Sequence, residues 1–208
     1  MSIRAVLASG NRGKLAEFQA LLAPHFALVP QTELGVRAAA ETGLTFVENA
    51  LLKARAAAAQ TGLPALADDS GLMVDALDGA PGLYSARYAG DNADDAANNR
   101  LLLERLHGVA GPQRGARFHC ALVYLRCAAD PVPLICQGSW EGRILSAPAG
   151  SGGFGYDPLF FALEQGCVAA CLPPQRKNQV SHRGRAVRQL IELLAAERAA
   201  DSVAALPD

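Results

Sequence analysis

The chain has no surplus of either charge: 19 Lys and Arg residues stand against 20 Asp and Glu residues in 208, a formal net charge of −1. Without a basic surplus there is no general attraction for a phosphate polymer, so no nucleic-acid polymer is expected as a partner and any anion site must be local. Paired cysteine spacing is missing too. Cys120, Cys127, Cys136, Cys167 and Cys171 form no CxxC pair and are odd in number, which argues against a disulfide framework or a zinc site and fits reduced thiols in a cytoplasm. There is no long hydrophobic run: the apolar stretch Ile3 to Ala8 meets polar residues too soon for a signal peptide or a membrane span, so no membrane partner is expected. No internal repeat is visible. What is present is length and a hydrophobic content of 50%, enough to bury a core, and we expect one domain over residues 1–196. From about Glu197 to Asp208 the alanine-rich, polar composition predicts a frayed tail.

Periodicity gives the organisation. Ile3 to Ala8 reads as a buried strand, Ser9 to Gly13 as a loop, and Lys14 to Leu22 as a helix with Leu15, Phe18, Leu21 and Leu22 inward. Thr45 with Glu48 three residues later predicts a capping box, opening a helix that runs to Gln60. Leu66-Ala67 ends a strand at Asp68-Asp69-Ser70-Gly71, and Leu72 to Leu77 reads as another short strand or strand end. Asp94 to Leu106 is helical by pattern, with Leu101, Leu102 and Leu106 inward. Phe118 to Arg126 and Val132 to Trp140 read as an antiparallel hairpin, so the sheet should be mixed. A last helix opens at Ser181-His182-Arg183-Gly184-Arg185, with Val187, Leu190, Ile191 and Leu194 on one face.

Three stretches point to chemistry. Arg183, Arg185 and Arg188 put cations at the positive pole of a helix, where a bound anion is the natural compensation. The loop Ser9-Gly10-Asn11-Arg12-Gly13-Lys14 leads into a second such helix start, although its glycine spacing is not that of a Walker A motif. Asp68 and Asp69 end an apolar strand, where ionised carboxylates are costly unless a cation or a working role compensates. Mg²⁺ is the expected cation, since it takes one or two carboxylates and shares its shell with water and phosphate oxygens, and Glu41 is the best additional ligand. Asn49 and Lys53 share a helix face. Phe154 and Asp157, in the second glycine-rich loop, suit a heterocycle by stacking and edge recognition. Lys177, His182 and Arg183 offer donors for phosphate or a keto oxygen. Read singly, each stretch is also ordinary turn, cap or core chemistry; His25, His107 and His119 read as structural.

Taken together, Ser9-Gly10-Asn11 with Gly13-Lys14, Glu41-Thr42-Gly43, Phe46 with Glu48-Asn49-Ala50, Ala67 to Gly71, Tyr84 to Tyr88, Gly153 to Asp157 and Ser181 to Gly184 resemble the inosine triphosphate pyrophosphatase family, most closely its bacterial branch. The likeness spans roughly Ile3 to Leu194 in order and spacing. It implies an elongated α/β fold around a long mixed sheet with flanking helices, two lobes with a nucleotide cleft between them, and a homodimer. It also implies Mg²⁺-dependent hydrolysis of deaminated purine nucleoside triphosphates to the monophosphate and pyrophosphate. On matching positions Asp69 would be the general base and a Mg²⁺ ligand, with Glu41 beside it. Ser9, Gly10, Asn11, Arg12, Gly13, Lys14, Lys53 and Ser70 would hold the triphosphate. Phe154, Gly155, Tyr156, Asp157, Lys177, His182 and Arg183 would bind the purine and its sugar-phosphate.

Overall fold

A computed structural model describes residues 2–204. Its centre is one seven-stranded sheet. The strands are β1 (Ile3–Leu7), β2 (Phe26–Pro30), β3 (Ala65–Val74), β4 (Gly115–Leu125), β5 (Leu134–Ile144), β6 (Phe160–Ala162) and β7 (Cys167–Val168). They lie in the order β2-β1-β3-β4-β5-β6-β7, with β1 parallel to β2 and β3 and every later pairing antiparallel. The expected mixed α/β architecture is therefore present.

The helices are α1 (Arg12–Leu22), α2 (Phe46–Thr61), α3 (Asp95–Arg105), α4 (Pro174–Val180) and α5 (His182–Ala204). Strand alternation decides which of them covers which face. Leu66, Cys120 and Leu122 point to the face where Phe18 and Leu22 of α1 and Val187, Leu190 and Leu194 of α5 pack. Ala65, Ala67, Ala121 and Val123 point the other way, onto the alanine stripe Ala50, Ala54, Ala57 and Ala58 of α2. Small residues on both sides let this helix approach the sheet closely. A third apolar cluster gathers Leu72 and Val74 from the far half of β3 with Leu102 of α3, Leu106 just past its end, Trp140, Tyr156 and Phe160. One long sheet thus serves two packing centres.

β3 joins them, and here the structure departs from the sequence reading. Asp68 and Asp69 do not end a strand; β3 runs through them for ten residues, held on one side by β4 from Ala65↔Leu125 to Val74↔Ala116. On its other side β1 pairs only with Ala65 and Leu66. Past Leu66 that edge of β3 opens beside the carboxyl end of β1 and the start of α1, the place where parallel α/β sheets hold ligands. Two boundaries differ as well. α1 starts at Arg12, with the Asn11 side chain accepting from the Lys14 amide at 3.0 Å, so Arg12, Gly13 and Lys14 form its first turn. The expected tail is instead helix through Ala204, with Glu197 ion-paired to Arg126; residues 205–208 lie outside the described part. Alanine, the strongest helix former, carries α5 on where the polar, alanine-rich composition suggested fraying.

Candidate active site

Adjacent carboxylates on a strand must point to opposite faces, and β3 separates Asp68 from Asp69 in this way. Asp68 is wholly buried on the α1/α5 side. Its Oδ2 meets the Lys14 ammonium at 2.6 Å and accepts from Ser70 Oγ at 3.0 Å, while Oδ1 accepts from the Cys120 thiol at 3.1 Å and lies 4.0 Å from Arg183 Nε. Burial works against this charge, but the Lys14, Arg183 and Lys53 cations outweigh it and hold the Asp68 carboxyl well below the usual carboxylate range. Asp69 faces α2. Lys53 Nζ binds its Oδ1 at 2.8 Å and Asn49 Nδ2 donates to Oδ2 at 3.3 Å. For Asp69 burial wins over the Lys53 and Lys14 charges, helped by the negative charge of Glu41, and the carboxyl is raised above its ordinary value. A carboxylate of raised basicity is the more useful proton acceptor.

Thr45 caps α2 by accepting from the Glu48 amide at 3.2 Å, and the Glu48 carboxylate accepts from the Leu44 amide at 2.8 Å. The cap fixes the helix register, which brings Asn49 and Lys53, one turn apart, onto Asp69. Asn49 Oδ1 also accepts from the Gly43 amide at 2.8 Å and so ties the Glu41 segment to the same place. Glu41 reaches Lys53 through Oε1 at 2.9 Å and Arg87 through Oε2 at 3.1 Å. Burial raises the Glu41 carboxyl, yet Lys53 and Arg87 more than cancel it and leave it lowered. Two carboxylates therefore converge on one cation, the Lys53 ammonium. That all-oxygen donor pair fits Mg²⁺, which needs only one or two carboxylates when phosphate and water complete its shell. No group of three or more His, Cys, Asp and Glu side chains spaced for a metal occurs among the described residues.

Across the open edge, Phe154 lies against the first turn of α1. A Cβ on Gly13 would come within 2.7 Å of its ring, so only glycine allows this approach. Lys177 Nζ and Arg183 Cζ sit 4.7 and 5.2 Å from the centre of that ring. The turn holding Phe154 has positive φ at Gly153 and Gly155, and Asp157 closes it by accepting from the Phe154 amide at 2.8 Å and pairing with Lys177. Glu17 of α1 completes the cluster, 2.9 Å from Lys177 Nζ and 2.7 Å from Arg183 Nη1. His182 stacks on Phe118 with ring centres 4.9 Å apart, and neither of its ring nitrogens has a hydrogen-bond partner among the described residues. Burial, with the Arg183 charge next, drives its pKa well below the ordinary imidazole value, so the ring is neutral. Phe154, Asp157, Lys177, His182 and Arg183 line a cavity of about 280 Å³ together with Ser70 and Tyr156, whose hydroxyl donates to the Ser85 carbonyl at 2.9 Å.

The model for the Ham1 family matches residues 5–193 of this chain. The chain belongs to the Ham1 family. It is 58% identical to the dITP/XTP pyrophosphatase of Shigella flexneri over 192 residues, covering 92% of this chain and 98% of that protein. It is 55% identical to the protein of that name from Vibrio cholerae over 194 residues, 93% of this chain and 97% of the relative. Among solved structures, a Ham1 protein from Coxiella burnetii superposes with a TM-score of 0.85 at 52% identity, covering 93% of this chain and 99% of its own. A nucleoside-triphosphatase, dITP/XTP pyrophosphatase, from Mycobacterium abscessus gives 0.72 at 42% identity, with 92% and 100% covered.

Within this Ham1 chain the sequence-predicted residues do not all stand free for a ligand. Lys14, Lys53 and Ser70, expected at the triphosphate, are bound to Asp68, to Asp69 and Glu41, and to Asp68 and Arg183. Asp157, expected at a heterocycle edge, is spent on Lys177 and the Phe154 amide. Arg183 is compensated by Glu17 and Asp68, Arg185 by Glu164, and Arg188 by the Gln179 carbonyl, so protein groups answer the cations at the head of α5. Ser9 is buried with its hydroxyl accepting from the Asn11 amide at 3.2 Å, while Gly10, Asn11 and Arg12 are exposed at the open edge. Glu17, Arg87 and Cys120 were not anticipated. Their partners lie 160, 46 and 52 positions away, and no local pattern carries that information.

Proposed function

We propose that this chain hydrolyses deaminated purine nucleoside triphosphates, the inosine, deoxyinosine and xanthosine forms, to the monophosphate and pyrophosphate, with Mg²⁺, and so clears them from the nucleotide pool. The enzyme class, a nucleoside-triphosphate pyrophosphatase, accords with the names borne by its 55–58% identical relatives. The observation that carries the substrate reading is His182: a buried, neutral imidazole whose two nitrogens lack partners among the described residues, on the wall of a cavity that also holds an aromatic face and two cations. Unpaired buried polar atoms are costly, and a ligand that satisfies them is favoured. The neutral ring offers one N–H donor, and Lys177 and Arg183 beside it are donors only, so a 6-keto purine presents an acceptor to the group and a 6-amino purine would set donor against donor at the cations.

Phe154 supplies the stacking surface, with Lys177 and Arg183 fixed behind it by Glu17 and Asp157. Asp68 anchors Lys14 and Ser70 at the open edge, where the phosphates are to be received. Asp69 takes the proton from the attacking water, which forms the new P–O bond while pyrophosphate departs with the electron pair of the bond that breaks. Lys53 and Asn49 hold Asp69 for this step. When bound by Glu41 and Asp69, Mg²⁺ supplies positive charge for the phosphate oxygens. The cytoplasmic homodimer implied by the motif resemblance belongs to the same proposal, and a monomeric mass at assay concentration would remove the dimer from it.

The test is pyrophosphate release with and without Mg²⁺ from inosine, xanthosine, guanosine, adenosine and pyrimidine triphosphates, with the nucleotide product identified. Monophosphate with preference for the deaminated purines is expected. Diphosphate as main product overturns the reaction, and equal rates for all bases overturn the clearing role.

A further inference from the structure

The turn that carries Phe154 is held by α3, whose Asp95 and Asn98 reach the cavity lining while Asn99 stands behind it. Asp95 Oδ2 accepts from the Gly155 amide at 2.6 Å, and Asn99 Nδ2 donates to the Gly155 carbonyl at 2.8 Å. Four positions apart on a helix, the two side chains share a face and grip both backbone polar groups of one residue. Asn98, on the same helix and in the cavity lining, grips a second wall: its Oδ1 accepts from the Ala89 amide at 2.8 Å and its Nδ2 donates to the Ala86 carbonyl at 3.2 Å. The front of α3 thus ties together two walls of the nucleotide cavity, while Leu102 and, just past its end, Leu106 anchor its back in the third apolar cluster. The Asp95 carboxylate is not needed as a cap, because Asp94 already accepts from the Ala97 amide at 2.7 Å.

Behind the turn lies a second hollow of about 440 Å³, between α3 and the 148–158 segment. Phe154 and Gly155 are therefore a thin wall with space on either side, and Gly155, at φ +60°, has no atoms crowding the position of a Cβ. The Phe154 ring rests on Gly13, Lys177 and Arg183 and Asp157 closes its turn, whereas Gly155 is held by its hydrogen bonds to α3.

We propose that Asp95 and Asn99 are positioning residues for base selection: by clamping Gly155 they fix the Phe154 ring at the distance that admits a deaminated purine and no looser fit. This rests on the substrate reading above. With the clamp cut, the ring drifts into the rear hollow, the cavity widens, and weaker-fitting bases gain relative to inosine. The proton acceptor Asp69, on the opposite face of β3, is untouched, so the loss falls on KM and on base preference rather than on kcat.

The experiment compares the intact chain with Asp95→Ala, Asn99→Ala and Asp95→Asn. It reads steady-state kinetics on inosine, guanosine and adenosine triphosphates, amide hydrogen exchange over residues 150–158, and the thermal midpoint as a check of folding. Asp95→Ala is expected to raise KM for inosine triphosphate about tenfold, the scale of one lost charge-assisted hydrogen bond, with kcat little changed. It should also narrow the preference over guanosine and speed exchange in the turn. Asp95→Asn keeps an acceptor oxygen and should restore most of both. Asn99→Ala should shift the same readouts less, and it carries the test alone if Asp95→Ala does not fold. Folded variants with unchanged KM and preference overturn the clamp, as does Asp95→Asn behaving like Asp95→Ala. If the intact chain itself shows no preference among bases, the substrate reading fails instead.

Discussion

Asp68 and Asp69 are neighbours in the chain but belong to different halves of the site: one is sealed against Lys14 and Cys120, the other is held beside Glu41 by Lys53. Their substitutions should separate accordingly. Asp69→Asn keeps the shape and the bond from Lys53, gives up the 3.3 Å bond from Asn49, and removes the proposed proton acceptor; it should cost about 1 kcal/mol of stability while losing roughly 10²–10⁴ in kcat. Asp68→Asn leaves the Lys14 and Arg183 cations short of a buried counter-charge and should cost about 3 kcal/mol of stability. Urea unfolding of the two variants, side by side with pyrophosphate release, checks both. Equal loss of stability in the two would refute the division of labour.

This division was only partly legible beforehand. The strand alternation that separates the carboxylates is implicit in any sequence, yet it applies only if β3 runs on through Asp68-Asp69-Ser70-Gly71, and those residues look like a turn because acidic and small side chains normally leave a sheet. Burial inside the sheet is tolerated here because Lys14 and Arg183, 54 and 115 positions from Asp68, neutralise it. The capped start of α2 and the inward face of α5 were readable, being set by side chains three or four residues apart. The hairpin was readable too, although β4 begins earlier and β5 ends later than predicted, where Ala116 and Ile144 join the third apolar cluster. Glu17 carried no signal: it is one acidic residue on a helix, and only the fold brings Lys177 and Arg183 to it.

Asn49 supports Asp69 on one side and the Glu41 segment on the other, through bonds of 3.3 and 2.8 Å. Residues that orient metal-binding carboxylates affect metal affinity roughly ten- to a hundredfold. Asn49→Ala should therefore raise the Mg²⁺ concentration needed for half-maximal activity by about tenfold, with kcat substantially recovered at saturating Mg²⁺. A Mg²⁺ titration of pyrophosphate release measures this. A kcat deficit that added Mg²⁺ does not relieve would assign Asn49 to the chemistry instead.

Gly13 tests the contact between the first helix and the aromatic wall. Alanine would favour the helix by roughly 1 kcal/mol over glycine, but its Cβ would lie 2.7 Å from the Phe154 ring. Overpacking of this kind displaces the softer partner, here a half-buried ring on a glycine turn. Gly13→Ala should leave stability within about 1 kcal/mol of the parent and raise KM severalfold for every purine triphosphate. Isothermal titration of a non-hydrolysable inosine triphosphate analogue reads the effect without turnover, and undiminished binding would mean that the ring does not take part.

His182 gives the pH dependence. Its imidazole is held neutral in the fold, well below the ordinary value of 6.5, first by burial and then by the Arg183 charge. Below pH 6.5 the unfolded chain takes up a proton that the folded chain refuses, so the unfolded state binds more protons and stability falls as pH falls. The stabilisation is fully present above 6.5 and is lost progressively on acidification towards the depressed folded value, at up to about 1.4 kcal/mol per pH unit from this one group. Urea midpoints at pH 7, 6 and 5 for the parent and for His182→Gln isolate the contribution, because the remaining groups titrate alike in both. The variant should show the shallower dependence on pH, and identical slopes would mean that the imidazole takes up its proton in the folded protein as readily as in the unfolded chain.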